Sequence, residues 1–76
     1  MYIIVYSGLI NSEISYRNIT ALARKYKCTR LRNVVICHDE ESVRKIMNYL
    51  KKTAKNVHVY KVEDEVTKKF LECIVT

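Results

Sequence analysis

The sequence predicts a small single-domain α/β fold, and three observations predict it. The chain has 76 residues with no Pro and a single Gly, so it has room for one hydrophobic core and little loop. Short β-branched runs at residues 2–6, 33–37 and 57–62 alternate with two longer stretches of helical periodicity. Turn and capping residues (Ser7, Gly8, Ser12, Asp39, Asn56) stand between them. The element order is therefore β-α-β-α-β, followed by one more element at the C-terminal end.

Each element follows from its residues. Tyr2-Ile3-Ile4-Val5-Tyr6 is β-branched or aromatic on both parities, which reads as a central strand buried on both faces. Ser7-Gly8 breaks the run, and Ser12 is placed to cap a helix over residues 12–27 whose stripe is Ile19, Leu22, Ala23 and Tyr26. Residues 33–37, with Val34, Val35 and Ile36 continuous, form the second strand. Asp39 caps the next helix, whose apolar face is Val43, Ile46, Met47, Leu50 and Ala54. That helix opens on Asp39, Glu40 and Glu41 and closes on Lys51, Lys52 and Lys55, an order that complements its macrodipole. Asn56 supplies a turn, and Val57 and Val59 then alternate with His58 and Tyr60 as in a strand near an edge. Val66, Phe70 and Cys73 fit a short helix, but residues 70–75 equally fit a strand-like arm, which is the favoured reading.

Two topologies accommodate this order. All strands can run parallel with right-handed crossovers, as in a minimal doubly wound fold. Alternatively, residues 29–37 bend into two strand pieces and give the β-α-β-β-α-β order of a ferredoxin-like fold, which leaves one apolar sheet face in need of a partner.

Composition narrows the function classes. Three cysteines without a close pair in sequence argue against a disulfide framework and for a reducing, cytoplasmic setting. No apolar run approaches the roughly 20 residues that span a bilayer, so neither a membrane span nor a signal peptide is expected. A chain this short gains stability by dimerising, so a homodimer is expected. The net charge of +6 favours polyanionic partners, DNA or RNA among them. Between Glu13 and Asp39 there is no acidic residue, while Arg17, Arg24, Lys25, Lys27, Arg30 and Arg32 all fall there. Arg24, Lys25, Lys27, Arg30 and Arg32 are the candidate nucleic-acid-binding residues, and Tyr60, Tyr16 and Tyr49 the tyrosines available for stacking. With helices antiparallel to parallel strands, this cluster and Lys51, Lys52 and Lys55 would share one edge of the sheet. The plain alternative is that these cations complement helix C-termini and solvate the surface.

A second candidate site depends on topology. If the strands are parallel, Ser7, Gly8, Ser12, His38 and Asp39 converge where open α/β sheets bind ligands, and the amides opening the first helix could hold an anion. A turn glycine, a capping serine, a loop histidine and a capping aspartate explain the same residues. Cys37 and His38 point to opposite faces of a strand, and no Cys-x-x-Cys or His-x-x-x-His spacing occurs, so neither a metal site nor a catalytic residue is assigned. Nothing in the sequence calls for a cofactor.

The run Met1-Tyr2-Ile3-Ile4-Val5-Tyr6, a helix, and Arg30-Leu31-Arg32-Asn33-Val34-Val35-Ile36 leading into a second helix and closing strand resembles one family. That family is the small ferredoxin-like subunit of the CRISPR adaptation complex. The resemblance covers residues 1–62 in element order and apolar spacing. It implies a homodimer that contacts duplex DNA. The family's nuclease members carry a metal-binding aspartate directly after the first strand's tyrosine, and Ser7 stands there in this chain. The resemblance therefore carries over dimerisation and nucleic-acid contact without the nuclease. The sequence thus favours a non-catalytic, basic α/β protein that binds nucleic acid or another polyanion through phosphate contacts. The competing expectation is a protein-interaction module, such as a small viral or mobile-element adaptor or inhibitor. An enzyme built on the Ser7–Ser12 loop with His38 and Asp39 would require those side chains to share a pocket.

Overall fold

Tyr2–Leu9 (β1), eight residues opening on the apolar run Tyr2 to Tyr6, lies in the interior of a four-stranded antiparallel sheet. A computed structural model describes residues 1–63 together with Lys69 and Cys73; the rest of the anticipated C-terminal helix or arm lies outside the described residues. Helix α1 (Ser12–Lys25) leads to the short β2 (Thr29–Leu31) and then β3 (Val34–Cys37). Helix α2 (Glu40–Thr53) runs without a loop into β4 (Ala54–Lys61). The sheet order is β2-β3-β1-β4, the ferredoxin-like arrangement, and the parallel alternative is excluded by the antiparallel pairing of β1 with both β3 and β4.

Register decides which residues share a face. Tyr2 opposes Cys37 and Ile4 opposes Val35 on β3, while Tyr6 opposes Val57 on β4. This face carries both helices: Ile4, Tyr6, Val35 and Cys37 bury against Ile19 of α1 and Ile46 and Leu50 of α2 in one core. Of the apolar stripes anticipated for the helices, Ile19, Leu22, Ala23, Val43, Ile46, Met47 and Leu50 face inward, whereas α1 ends at Lys25 with Tyr26 as its C-cap and Ala54 already belongs to β4. On the opposite face lie Ile3, Val5, Val34, Ile36, Leu31 and Tyr60. Ile3 and Val5 are only half-buried, so β1 is fully buried on its helix-facing side alone, at Ile4 and Tyr6, and Leu31 and Tyr60 are 37% and 56% exposed.

Three local expectations change. Gly8 does not end β1: the strand continues through it, with Ser7 opposite Asn56 and Leu9 opposite Ala54. Its φ of +70° gives the strand a kink that costs glycine nothing, and a Cβ there would lie 2.9 Å from the Lys55 Cβ. The turn into α1 falls at Ile10-Asn11, with Asn11 in the left-handed region as N-cap; Ser12 is the first helical residue, not the cap. Ser15 Oγ donates to the Ile10 carbonyl at 2.6 Å, tying that turn down from inside the helix. Asn56 lies within β4, because the backbone turns directly from helix to extended conformation at Ala54.

Candidate nucleic-acid interface

A face of α1 and the edge strand β2 build a basic surface groove. Arg17, Thr20, Ala21 and Arg24 recur at helical spacing, so they share one flank of α1. Arg30 comes from β2, where it opposes the buried Val35 and therefore points to the helix side of the sheet. Together with Tyr16 these residues line an open groove of about 390 Å³. No acidic residue lines it.

Arg30 is the best-positioned cation in this groove. Its guanidinium carbon lies 5.4 Å from the centre of the Tyr16 ring, within the range of a cation–π contact, and its Nη1 donates to the Arg32 carbonyl at 3.3 Å. The Tyr16 hydroxyl donates to Asn33 Oδ1 at 3.0 Å, and the Tyr6 hydroxyl donates to the Arg32 carbonyl at 2.8 Å. Backbone N–H of Tyr6 also donates to the Asn33 carbonyl. The β2–β3 turn is therefore fastened to β1 and α1, and Arg30 is held where it emerges. Burial raises the Tyr6 pKa, against a smaller lowering by the Arg30 charge, so Tyr6 stays a donor at neutral pH.

The other cations of the predicted cluster are distributed around this groove. Arg24 lines it; Lys25 lines a neighbouring groove of about 330 Å³ between the helices, with Asn18, Ala21, Leu22 and Tyr49. Lys27 and Arg32 are exposed on turns, both at positive φ. Arg17, which was not among the predicted site residues, completes the groove. The signal for it was present in the sequence, because Arg17 and Arg24 are two helical turns apart. Arg17 lies 3.8 Å from Glu13, and at 78% and 86% side-chain exposure that pair leaves the guanidinium accessible.

The structure separates the second predicted set. Because β1 and β3 are antiparallel, Ser7, Gly8 and Ser12 lie at one end of the sheet and His38 and Asp39 at the other. Asp39 caps α2 as its position suggested: Oδ1 accepts from the Ser42 N–H at 2.7 Å, and Oδ2 accepts from Ser42 Oγ at 3.1 Å. These bonds hold its carboxyl below the usual range. The helices are antiparallel too, since Ser42 Oγ near the start of α2 lies 3.4 Å from the Tyr26 carbonyl oxygen at the end of α1, while Ile10 N–H donates to the Thr53 carbonyl. Lys51, Lys52 and Lys55 therefore sit at the end opposite Arg24 and Lys25, and the shared basic edge expected for parallel strands does not form. No group of three or more potential metal ligands occurs among the described residues, and no helix there is long and apolar enough to cross a membrane.

Compared with protein-family models and with curated proteins, the chain matches none. The resemblance to the CRISPR adaptation subunit accordingly rests on element order and apolar spacing alone.

Proposed function

We propose that this chain is a non-catalytic nucleic-acid-binding protein that grips the phosphate backbone in the groove between α1 and β2. The observation that supports this reading is that Arg17, Arg24 and Arg30, the last stacked on the Tyr16 ring, line one groove with no acidic lining residue. Guanidinium groups present a planar fork of donors that matches phosphate oxygens. An arginine already stacked on an aromatic ring loses less freedom when it engages a phosphate than a free one does. Contacts of this kind position the backbone and carry no base-specific information, so affinity depends little on sequence.

A homodimer belongs to the same reading. β4 lies at the edge of the sheet and exposes Val59 and Tyr60, 38% and 56% exposed, so a second copy could pair along it. The same edge favours the second reading, a protein-interaction module that captures an extended segment of another protein by strand addition.

Chemical-shift mapping with short single- and double-stranded DNA and RNA separates the two readings. The first expects the largest shifts at Tyr16, Thr20, Arg24 and Arg30, with the outer edge of β4 unmoved. Shifts absent from α1 and β2 with every nucleic acid at low salt would overturn it.

A further inference from the structure

The three cysteines are scattered in the sequence, but the fold brings two of them together. The antiparallel register that pairs Thr29 with Ile36 continues one residue outward and sets Cys28 against Cys37 on the helix-facing side of the sheet. Their sulfurs are 2.9 Å apart, within about an ångström of the ~2.05 Å of a disulfide bond. Both are free thiols; Cys37 is buried and Cys28 partly exposed, while Cys73 is exposed.

We propose that Cys28 and Cys37 form a cross-strand redox site, a dithiol that a hydroperoxide oxidises reversibly to an intramolecular disulfide. This inference rests on the paired sulfurs and does not depend on the nucleic-acid reading.

The two cysteines take different parts because their surroundings differ. Cys28 is reachable from solvent, and its thiolate attacks the distal oxygen of the hydroperoxide. The O–O bond breaks, an alcohol or water leaves, and Cys28 becomes a sulfenic acid. Cys37 then attacks the Cys28 sulfur: the S–S bond forms, the S–O bond breaks, and the hydroxide leaves as water with the Cys37 proton. The peroxide is reduced by two electrons and the two thiols are oxidised by two. Burial, reinforced by the neighbouring Cys28, pushes the Cys37 thiol far above its usual pKa. Cys37 therefore resists oxidation by itself and acts as the resolving partner, losing its proton as the new bond forms. In a reducing compartment such a disulfide is transient, as in redox-sensing proteins.

The placement of the pair gives oxidation a structural consequence. Cys28 follows the end of α1, where its N–H donates to the Ala23 carbonyl at 2.7 Å, and Cys37 ends β3. The bond would close a ring containing β2, the β2–β3 turn and β3, with Arg30 and Arg32 inside it. Oxidation should therefore raise the melting temperature by constraining the unfolded chain.

The test uses the full chain carrying Cys73→Ser, which removes the third thiol. Hydrogen peroxide is added, remaining thiols are alkylated after unfolding, and peptides are mapped by mass spectrometry without reduction. The expected result is a monomer lighter by two hydrogens, with neither thiol alkylated, a Cys28–Cys37 cross-linked peptide, and full reversal by dithiothreitol. Further substitution Cys37→Ser should leave a sulfenic acid at Cys28 that dimedone traps. Sulfinic or sulfonic acid at Cys28 with Cys37 still alkylated in the Cys73→Ser protein would overturn the proposal, as would a cross-link only between chains. That reading needs no Cys37 variant to fold.

Discussion

Gly8 and Asp39 carry two of the more specific single-residue demands in the fold. At Gly8 the left-handed φ excludes an ordinary side chain, and the Lys55 side chain fills the space where a Cβ would go. Gly8→Ala should therefore destabilise by about 1–2 kcal/mol, measured as a lower midpoint in urea at unchanged slope. Asp39 accepts two bonds from Ser42, and its folded pKa lies below the ordinary 3.8. The stability it contributes is fully present above pH 3.8 and is lost as pH falls from there through the depressed folded value. Thermal melts from pH 7 to pH 2 should show Asp39→Asn less stable than wild type at neutral pH, with the gap closing at the acid end. A gap that stays constant with pH would contradict the cap. Asp39 was legible in the sequence because capping is a local property of adjacent residues. Gly8 was not, because a strand that continues through a kink needs the pairing of Leu9 with Ala54 to reveal it.

At the scale of elements, the helices and strands were read from periodicity largely where they lie, because their apolar spacing is what packs them. Ile46, wholly buried between the helices and the sheet, marks the centre of that packing. Ile46→Ala should cost about 2–5 kcal/mol in a denaturant titration, as a buried isoleucine truncated to a cavity does. The β2–β3 hairpin was harder to read. Thr29–Leu31 has three residues with a cation in the middle, so nothing distinguishes it locally from a basic loop. Its identity as a strand comes from pairing with β3, and its turn is held by the Tyr6 hydroxyl on the Arg32 carbonyl. Tyr6→Phe should cost about 1 kcal/mol in stability. It should also loosen the turn that positions Arg30, read as faster amide exchange at residues 30–34. Unchanged exchange there would show that the hydroxyl does not hold the turn.

Across the whole molecule, strand direction governs what the surface can do, and strand direction leaves little trace in a single sequence. Both topologies compatible with the element order use the same apolar residues in the same helices and strands. They differ in which loops meet: antiparallel strands part Ser7, Gly8 and Ser12 from His38 and Asp39, and antiparallel helices part Arg24 and Lys25 from Lys51 and Lys52. The basic run from Arg17 to Arg32 was visible as composition. Its organisation was not, because Arg30 joins Arg17 and Arg24 only when β2 turns back beside α1. Cys28 and Cys37 escaped for the same reason, being paired by strand register.

The direct test of the phosphate-binding groove is the salt dependence of affinity for a short DNA or RNA, compared between wild type and the Arg17→Ala, Arg24→Ala, Arg30→Ala triple variant. A Lys51→Ala, Lys52→Ala variant, altered at the opposite end of the molecule, serves as the control for net charge. Each phosphate neutralised contributes about 0.9 to the slope of log affinity against log salt on a duplex and about 0.7 on a single strand. The account predicts a steep slope for wild type, a slope shallower by about 2–3 for the triple variant, and little change for the lysine control. Equal losses in both variants would contradict a defined groove, leaving only a diffuse attraction by net charge.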